Sequence, residues 1–347
     1  MKRNIPLLLL ALVLVLVVLV LVSVAVRFSG AAGSQAQPTG TATVSCTEDA
    51  TQDTQTDPTE DNTEPPTQST TEPPTEAPTQ APTEAPTKPP VDSTGNDSDR
   101  IGSLYTRGEL MAMENEEKGY GPVRTSGGKR APYAEYDQQS YGEYGANFIA
   151  PDNGNIYLTF DCGYEYTATD ANGNKYRVTE KILDILKEKD VKAVFFVTMY
   201  YVTDQPDLVQ RMIDEGHVVG NHTNNHPVLP SLSIDDMVYE IMSLHEYVKE
   251  HFGYEMNLLR PPTGAYSTRT LALTKSLGYK TVHWSFAHGD YDTENQPDVA
   301  SALELVTSSH HSGAIYLLHA ISTTNAALLP DAIDFFRAEG YDLELFQ

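Results

Sequence analysis

The sequence predicts an α/β fold, an irregular (β/α) barrel, on three observations. From Asn155 onward short apolar runs alternate with amphipathic stretches. The apolar run Val191–Val197 suits a parallel strand buried on both faces. Six or seven strand–helix units follow one another in a single chain, and that repetition implies parallel strands. In chain order, Ile156–Phe160 reads as a strand, and Ile182, Leu183, Ile185 and Leu186 form one helical face. After the strand at Val191–Val197, Pro206 opens a helix that Gly216 closes. His217–Gly220 is a short strand, and Ser233 is the N-cap of a helix reaching His251. Leu258–Arg260, Lys280–Ser285 and Ala314–Leu318 read as strands, and Ser267–Leu277, Asp298–Ser308 and Asn325–Glu339 as helices. The stretch before Asn155 is rich in Tyr and Gly and shows no clean period.

Two unlike segments precede this domain. Residues 1–28 begin with basic Lys2 and Arg3 and hold an apolar run, Leu7 to Val22. A membrane-spanning helix needs roughly 20 apolar residues and a signal-peptide core about 7–15. The run therefore suits an uncleaved anchor with its N-terminus in the cytoplasm and the rest outside. The alternative is a secreted protein cleaved near Gly30-Ala31-Ala32. Residues 29–100 carry half of the 22 prolines, in repeats such as Thr-Glu-Ala-Pro-Thr, with almost no apolar side chains. That composition cannot repay the entropy of ordering, so it is read as a disordered, extended Thr/Pro/Glu-rich stalk. Residues 101–154 are read as an N-terminal extension of the catalytic domain at 155–347.

Net charge narrows the function. With 48 Asp+Glu against 23 Lys+Arg, the formal charge is -25, which excludes electrostatic binding of nucleic acid along a basic face. Two cysteines, Cys46 in the polar tract and Cys162 in a motif, exclude a disulfide scaffold and a cysteine-rich zinc module. A monomer is expected.

Polar groups stand at five successive strand ends, where a (β/α) barrel gathers its functional residues. Asp161-Cys162-Gly163 follows the first strand, Asn221–His226 the strand at His217, and Arg260–Gly264 the strand at Leu258. Trp284, with Asp290 beyond it, and His319 follow the last two. His222 and His226 are four apart in a polar loop, a spacing that can present two imidazoles to one metal; zinc suits them, as do cobalt, nickel or iron. Catalytic sites usually add a third protein ligand, for which Asp161 and Cys162 are the candidates. The competing reading of Cys162 is a small packed side chain. His217, His245, His251, His310 and His311 are read as structural or exposed.

The set Thr159-Phe160-Asp161-Cys162-Gly163, His222-Thr223-Asn224-Asn225-His226, Arg260-Pro261-Pro262, Trp284 with Asp290, and Leu317-Leu318-His319 resembles the NodB-homology polysaccharide deacetylases, carbohydrate esterase family 4. The resemblance covers about Gly119 to Gln347. Within the family, Glu215-Gly216-His217-Val218-Val219-Gly220-Asn221-His222 and Thr270-Leu271-Ala272-Leu273 look most like the delta-lactam-biosynthetic de-N-acetylases of peptidoglycan. The resemblance implies a distorted barrel and a divalent metal, zinc first, with cobalt, manganese or magnesium as alternatives. It implies Asp161 as general base, His319 as general acid, and His222 and His226 as ligands. It implies Arg260 orienting Asp161, and Asp290 orienting His319. Pro262, Thr263, Trp284 and Leu317 would line the substrate pocket, with the Thr263 N–H facing the oxyanion.

Cys162 departs from the family pattern, because most members carry a second Asp there that completes the metal triad. Thr263 stands where many have Tyr, and Thr167–Arg177 looks like an insertion beside the site. The expected activity is hydrolysis of N-acetyl groups on peptidoglycan amino sugars, N-acetylmuramic acid foremost, with release of acetate. The alternatives are deacetylation of chitin oligomers or O-acetyl xylan, and a catalytically dead glycan-binding module.

Overall fold

A computed structural model describes residues 99–347. The anchor expected over 1–28, all but the last two residues of the linker expected over 29–100, and Cys46 lie outside the described residues. Among the described residues no helix is long and apolar enough to cross a membrane.

The chain opens with a small antiparallel pair, β1 (Arg100–Ile101) and β2 (Tyr105–Thr106). Thr106 then caps the helix Arg107–Ala112 through a reciprocal box with Glu109. After the helix Pro132–Tyr141 comes β3 (Ala146–Asn147). The domain continues with β4 (Asn155–Cys162), the antiparallel hairpin β5 (Thr167–Thr169) and β6 (Lys175–Arg177), β7 (Val194–Val197) and β8 (Val218–Asn221). It ends with β9 (Leu258–Leu259), β10 (Lys280–Val282), β11 (Phe286–Ala287), β12 (Ala314–His319) and β13 (Asp342–Leu343). Nine of these strands form one parallel sheet in the order β11-β12-β4-β7-β8-β9-β10-β3, with β13 joining the amino end of β4. No ladder joins β11 to β3 among the described residues, so the curled sheet is an open barrel.

Alternation along β4 sorts its side chains. Ile156, Leu158, Phe160 and Cys162 belong to the large core under the helices, together with Ile182, Leu183, Ile185 and Leu186 of helix Val178–Glu188. Tyr157 points the other way and meets Val194, Phe196, Leu258, Val282 and Ile315 inside the curl. A period of two explains the split, and it requires Asp161 to face inward with Tyr157. Both faces of β7 are buried, which is why its run carries no polar alternation.

Helix ends follow their capping chemistry. Ser233 Oγ accepts from Asp236 N ahead of helix Ile234–Phe252, and Gly253 ends it with φ 63°. Pro206 occupies the first turn of helix Pro206–Asp214.

The segment before Asn155 holds what periodicity missed. Its β3 adds a parallel strand beside β10, and its aromatics bury against the barrel. Phe148 stacks on His283 at 4.3 Å, and Tyr120 Oη donates to the Trp284 carbonyl at 2.7 Å. Irregular chain with few residues in each element leaves no period to read.

Gly220 sits on β8 opposite Phe196 of β7. A Cβ there would lie 2.5 Å from the Phe196 ring and 3.3 Å from the Leu258 carbonyl oxygen. Gly220→Ala is therefore expected to cost about 1–3 kcal/mol through overpacking. A thermal melt should show Tm falling by at least about 2 °C; an unchanged Tm would mean that the ring moves freely.

Candidate active site

At the carboxyl edge of the sheet, a cavity of about 500 Å³ is lined by Asp161, His222, His226 and His319, together with Gly163, Thr198, Asn224, Asn225 and Ile321. Tyr164, Tyr200 and Tyr291 complete the lining and are largely exposed. Residues from the ends of β4, β8 and β12 thus meet in one place.

Arg260 follows β9 and is fully buried. Its Nη1 donates to Asp161 Oδ1 at 2.8 Å, its Nε to the Val282 carbonyl at 3.1 Å and its Nη2 to the His283 carbonyl at 3.1 Å. The guanidinium lies over Phe196, 4.3 Å from the ring centroid. Burial pushes the Asp161 carboxyl up, but the charge of Arg260, with help from His222 and His319, outweighs it. Asp161 is held below the usual carboxylate range and is ionised at neutral pH.

His222 Nδ1–H donates to the Arg260 carbonyl at 2.8 Å, which turns its Nε2 lone pair toward the cavity. That Nε2 lies 3.2 Å from His226 Nε2 and 3.6 Å from Asp161 Oδ2. Burial pushes the His222 imidazole down to about 4 and lowers His226 as well. Both rings are therefore neutral at pH 7, the form that binds metals. Two neutral imidazoles with converging nitrogens fit a divalent cation. Among the described residues, however, no group of three His, Cys, Asp or Glu is arranged to hold one.

Of the two readings open for Cys162, third ligand or small packed side chain, its placement supports the packed one. The side chain is fully buried on the helix-facing side of β4, opposite to Asp161. Burial, then the charges of Glu165 and Asp161, push its thiol well up and favour the neutral form.

On the other side of the cavity, Asp290 is fully buried and accepts from His319 Nδ1 at 2.7 Å and from the His319 backbone N–H at 2.8 Å. Asn325 Nδ2 donates to the same carboxylate at 2.5 Å. Burial lowers the His319 pKa, but the hydrogen bond and charge of Asp290, with Asp161 behind them, win and raise it above the ordinary histidine value. His319 thus stays protonated further into the neutral range, with Nε2 left for the cavity. Asp161 and His319 are partners across β4 and β12, so an ionised carboxylate stands beside an imidazole whose hold on its proton is strengthened.

Four residues expected to line the pocket are not among those that line this cavity. Leu317 lies two residues before His319 on the same strand face and is buried. Trp284 is tucked under the turn Pro262–Gly264; a Cβ on Gly264 would lie 2.5 Å from its ring. Pro262 is buried in that turn, and Thr263 is exposed on it with φ 58°. The apolar part of the wall comes instead from Tyr164, Tyr200, Tyr291 and Ile321. Tyr164 and Tyr291 lie three residues and one residue after Asp161 and Asp290, which was the available signal. Tyr200 sits at the start of helix Met199–Asp204, which the sequence did not reveal. The expectation of an insertion at Thr167–Arg177 corresponds to the hairpin β5–β6.

The family profile described as polysaccharide deacetylase matches residues 149–282. The peptidoglycan-N-acetylmuramic acid deacetylase PdaA of Bacillus subtilis is 46% identical over 187 residues, covering 54% of this chain and 67% of that protein. The solved structure of Bacillus subtilis PdaA, a family 4 carbohydrate esterase, superposes with a TM-score of 0.61 at 38% identity, over 67% of this chain and 96% of that one. A family 4 carbohydrate esterase from Bacillus anthracis gives a TM-score of 0.53 at 38% identity, over 68% and 96%.

Two outcomes follow from the geometry. Asp290→Asn removes the charge that raises His319, and the sign is fixed: the imidazole should lose its proton at lower pH than in the parent protein. An NMR titration of the His319 ring checks this, and an unmoved midpoint would show that Asp290 does not control it. Cys162→Ser should cost about 1–3 kcal/mol, because the hydroxyl is buried among apolar groups. It should leave divalent-metal binding within threefold of the parent; a larger loss in equilibrium dialysis would return Cys162 to the ligand set.

Proposed function

The chain belongs to the polysaccharide deacetylases, hydrolases that act on amide bonds, and on that premise we propose that it removes N-acetyl groups from peptidoglycan amino sugars. N-acetylmuramic acid is the favoured residue, on the 46% identity to a protein named for that activity. One observation carries the catalytic part of the reading: ionised Asp161 beside protonated His319, each oriented by its own buried partner.

An acetamide is a poor electrophile with a poor leaving group, so water must be activated and nitrogen protonated. His222 and His226 would hold a divalent cation. Two imidazoles favour zinc or cobalt over magnesium, which prefers oxygen ligands. When bound, the cation supplies Lewis acidity toward the amide carbonyl and the water beside it. Asp161 takes a proton from the attacking water, and Arg260 keeps its carboxylate ionised and fixed. The carbonyl carbon becomes tetrahedral. His319 Nε2 then gives its proton to the amide nitrogen as the carbon–nitrogen bond breaks, leaving acetate and a free amine. Asp290 holds the imidazole by Nδ1, so its proton is presented from Nε2 alone.

The exposed rings of Tyr164, Tyr200 and Tyr291 offer flat apolar faces on which sugar rings stack, which supports a glycan substrate. The basic start and long apolar run of residues 1–28 support an extracytoplasmic, membrane-anchored placement.

The test is acetate release from purified peptidoglycan, compared with chitin oligomers and acetylated xylan. Release from peptidoglycan, with muramic acid appearing as the free amine, is expected; release from xylan or chitin alone would overturn the substrate assignment. Asp161→Asn keeps the side-chain volume and removes the base, so turnover should fall by about 10²–10⁴. Wild-type turnover in that variant would place the base elsewhere. Because activity needs Asp161 ionised and His319 protonated, kcat/KM should decline as pH rises through the His319 pKa, and that decline should lie above the ordinary histidine value.

A further inference from the structure

The loop carrying the histidine pair is built against backbone preference. Thr223 has φ 69° and His226 has φ 57°. A β-branched residue in the left-handed region is a true outlier, and each such position costs on the order of 1–3 kcal/mol. Conformations of this kind persist only when neighbours over-determine them.

The restraints are all visible. His222 N–H donates to the Val197 carbonyl at 2.9 Å, and Thr223 N–H to Asn221 Oδ1 at 2.8 Å. His226 N–H donates to Thr223 Oγ1 at 3.1 Å. The two amides between, those of Asn224 and Asn225, find their acceptors on one residue of helix Ile234–Phe252. Asn224 N–H donates to the Glu240 carbonyl at 2.9 Å, and Asn225 N–H to Glu240 Oε2 at 2.7 Å. Asn225 Nδ2 donates to Glu240 Oε1 at 2.8 Å, so the carboxylate grips Asn225 with both oxygens. Glu240 is 7% exposed, and each of its carboxylate oxygens accepts a hydrogen bond from Asn225. A buried carboxylate is expensive unless it is well hydrogen-bonded, and here both its oxygens are spent on the residue that precedes His226.

We propose that Glu240 is a positioning residue: its two-oxygen grip on Asn225 sets the approach of His226 to His222, and so sets the affinity of the pair for a divalent cation. The inference rests on the cation site proposed above. Glu240 touches neither ring and faces the loop from behind, so it acts through Asn225. Partners of this kind behind metal ligands typically change affinity by about 10–100-fold when altered.

The experiment is Zn²⁺ and Co²⁺ titration of the apoprotein, with thermal melts alongside. Wild type is measured first: failure of the unaltered protein to bind either ion sinks the cation site itself, separately from Glu240. Given binding, Glu240→Met should weaken it tenfold or more, because the Asn225 N–H and Nδ2 both lose their acceptor. It should also change the visible spectrum of the Co²⁺ form, which loss of stability alone would not do. Glu240→Gln is the rescue arm: its amide oxygen can accept from the Asn225 N–H while its Nε2 donates to Asn225 Oδ1, once the Asn225 amide turns over. That variant should stay within about threefold of wild type. Wild-type affinity in Glu240→Met, or a tenfold loss in folded Glu240→Gln, overturns the proposal. Should Glu240→Met fail to fold, Asn225→Ala decides: weakened affinity supports the role, and wild-type affinity overturns it.

Discussion

Arg260 carries a full positive charge without access to water, and the rest of the site is arranged around keeping it there. A buried guanidinium is tolerable only when every face is occupied. One edge meets Asp161, two more donors meet the Val282 and His283 carbonyls, and the plane lies on Phe196. Those contacts bind the ends of β4, β9 and β10 into one unit. Removing Arg260 would leave Asp161 without its main stabilising charge. It would also leave two carbonyls without donors and His222 leaning on a displaced backbone. The ion pair is thus more a constraint on geometry than a source of stability, since apolar replacements of buried pairs are often as stable.

The second constraint is that two ionisable groups on adjacent strands must hold opposite protonation states. Arg260 drives Asp161 down and Asp290 drives His319 up, from opposite flanks of the same cavity. Neither effect is available on a bare surface, where water screens the charge. Burial opposes both states and is overcome in each case by one well-placed partner.

Much of this was legible in the sequence, and the failures have physical causes. The strands β4, β7, β8, β9, β10 and β12 announced themselves because parallel strands buried on both faces are nearly continuous apolar runs. Asp161, Arg260, His222, His226, Asp290 and His319 stood at or just beyond strand ends, and each of the six side chains comes within hydrogen-bonding or ion-pairing distance of another of the six: Arg260 to Asp161, Asp161 to His222, His222 to His226, and Asp290 to His319. Cys162 points to the core because a strand alternates: its neighbour Asp161 takes the inward face and leaves the other to the core. The burial of Trp284 and Leu317 was not legible, because proximity in sequence to a candidate catalytic residue does not fix depth. Glu240 was invisible, since an acidic residue in a charged amphipathic helix looks like any solvated one until the loop it grips is in place. The helix Met199–Asp204 was too short, at 6 residues, for a period to show.

The order of pairing in the sheet bears on how the chain is made. β4 lies near the start of the domain, yet Thr159 bonds the backbone of a residue 157 positions later on β12, and Asn147 bonds one 134 positions later on β10. Such pairing gives the domain a high contact order and a slow, late assembly. As synthesis proceeds from the N-terminus, β3 and β4 emerge long before β10 and β12. Until those arrive, the apolar faces of β4 and β7 stay open, and exposed strand edges of that kind are prone to aggregation. The segment that closes the chain in sequence is therefore also what ends the most hazardous interval of its biosynthesis.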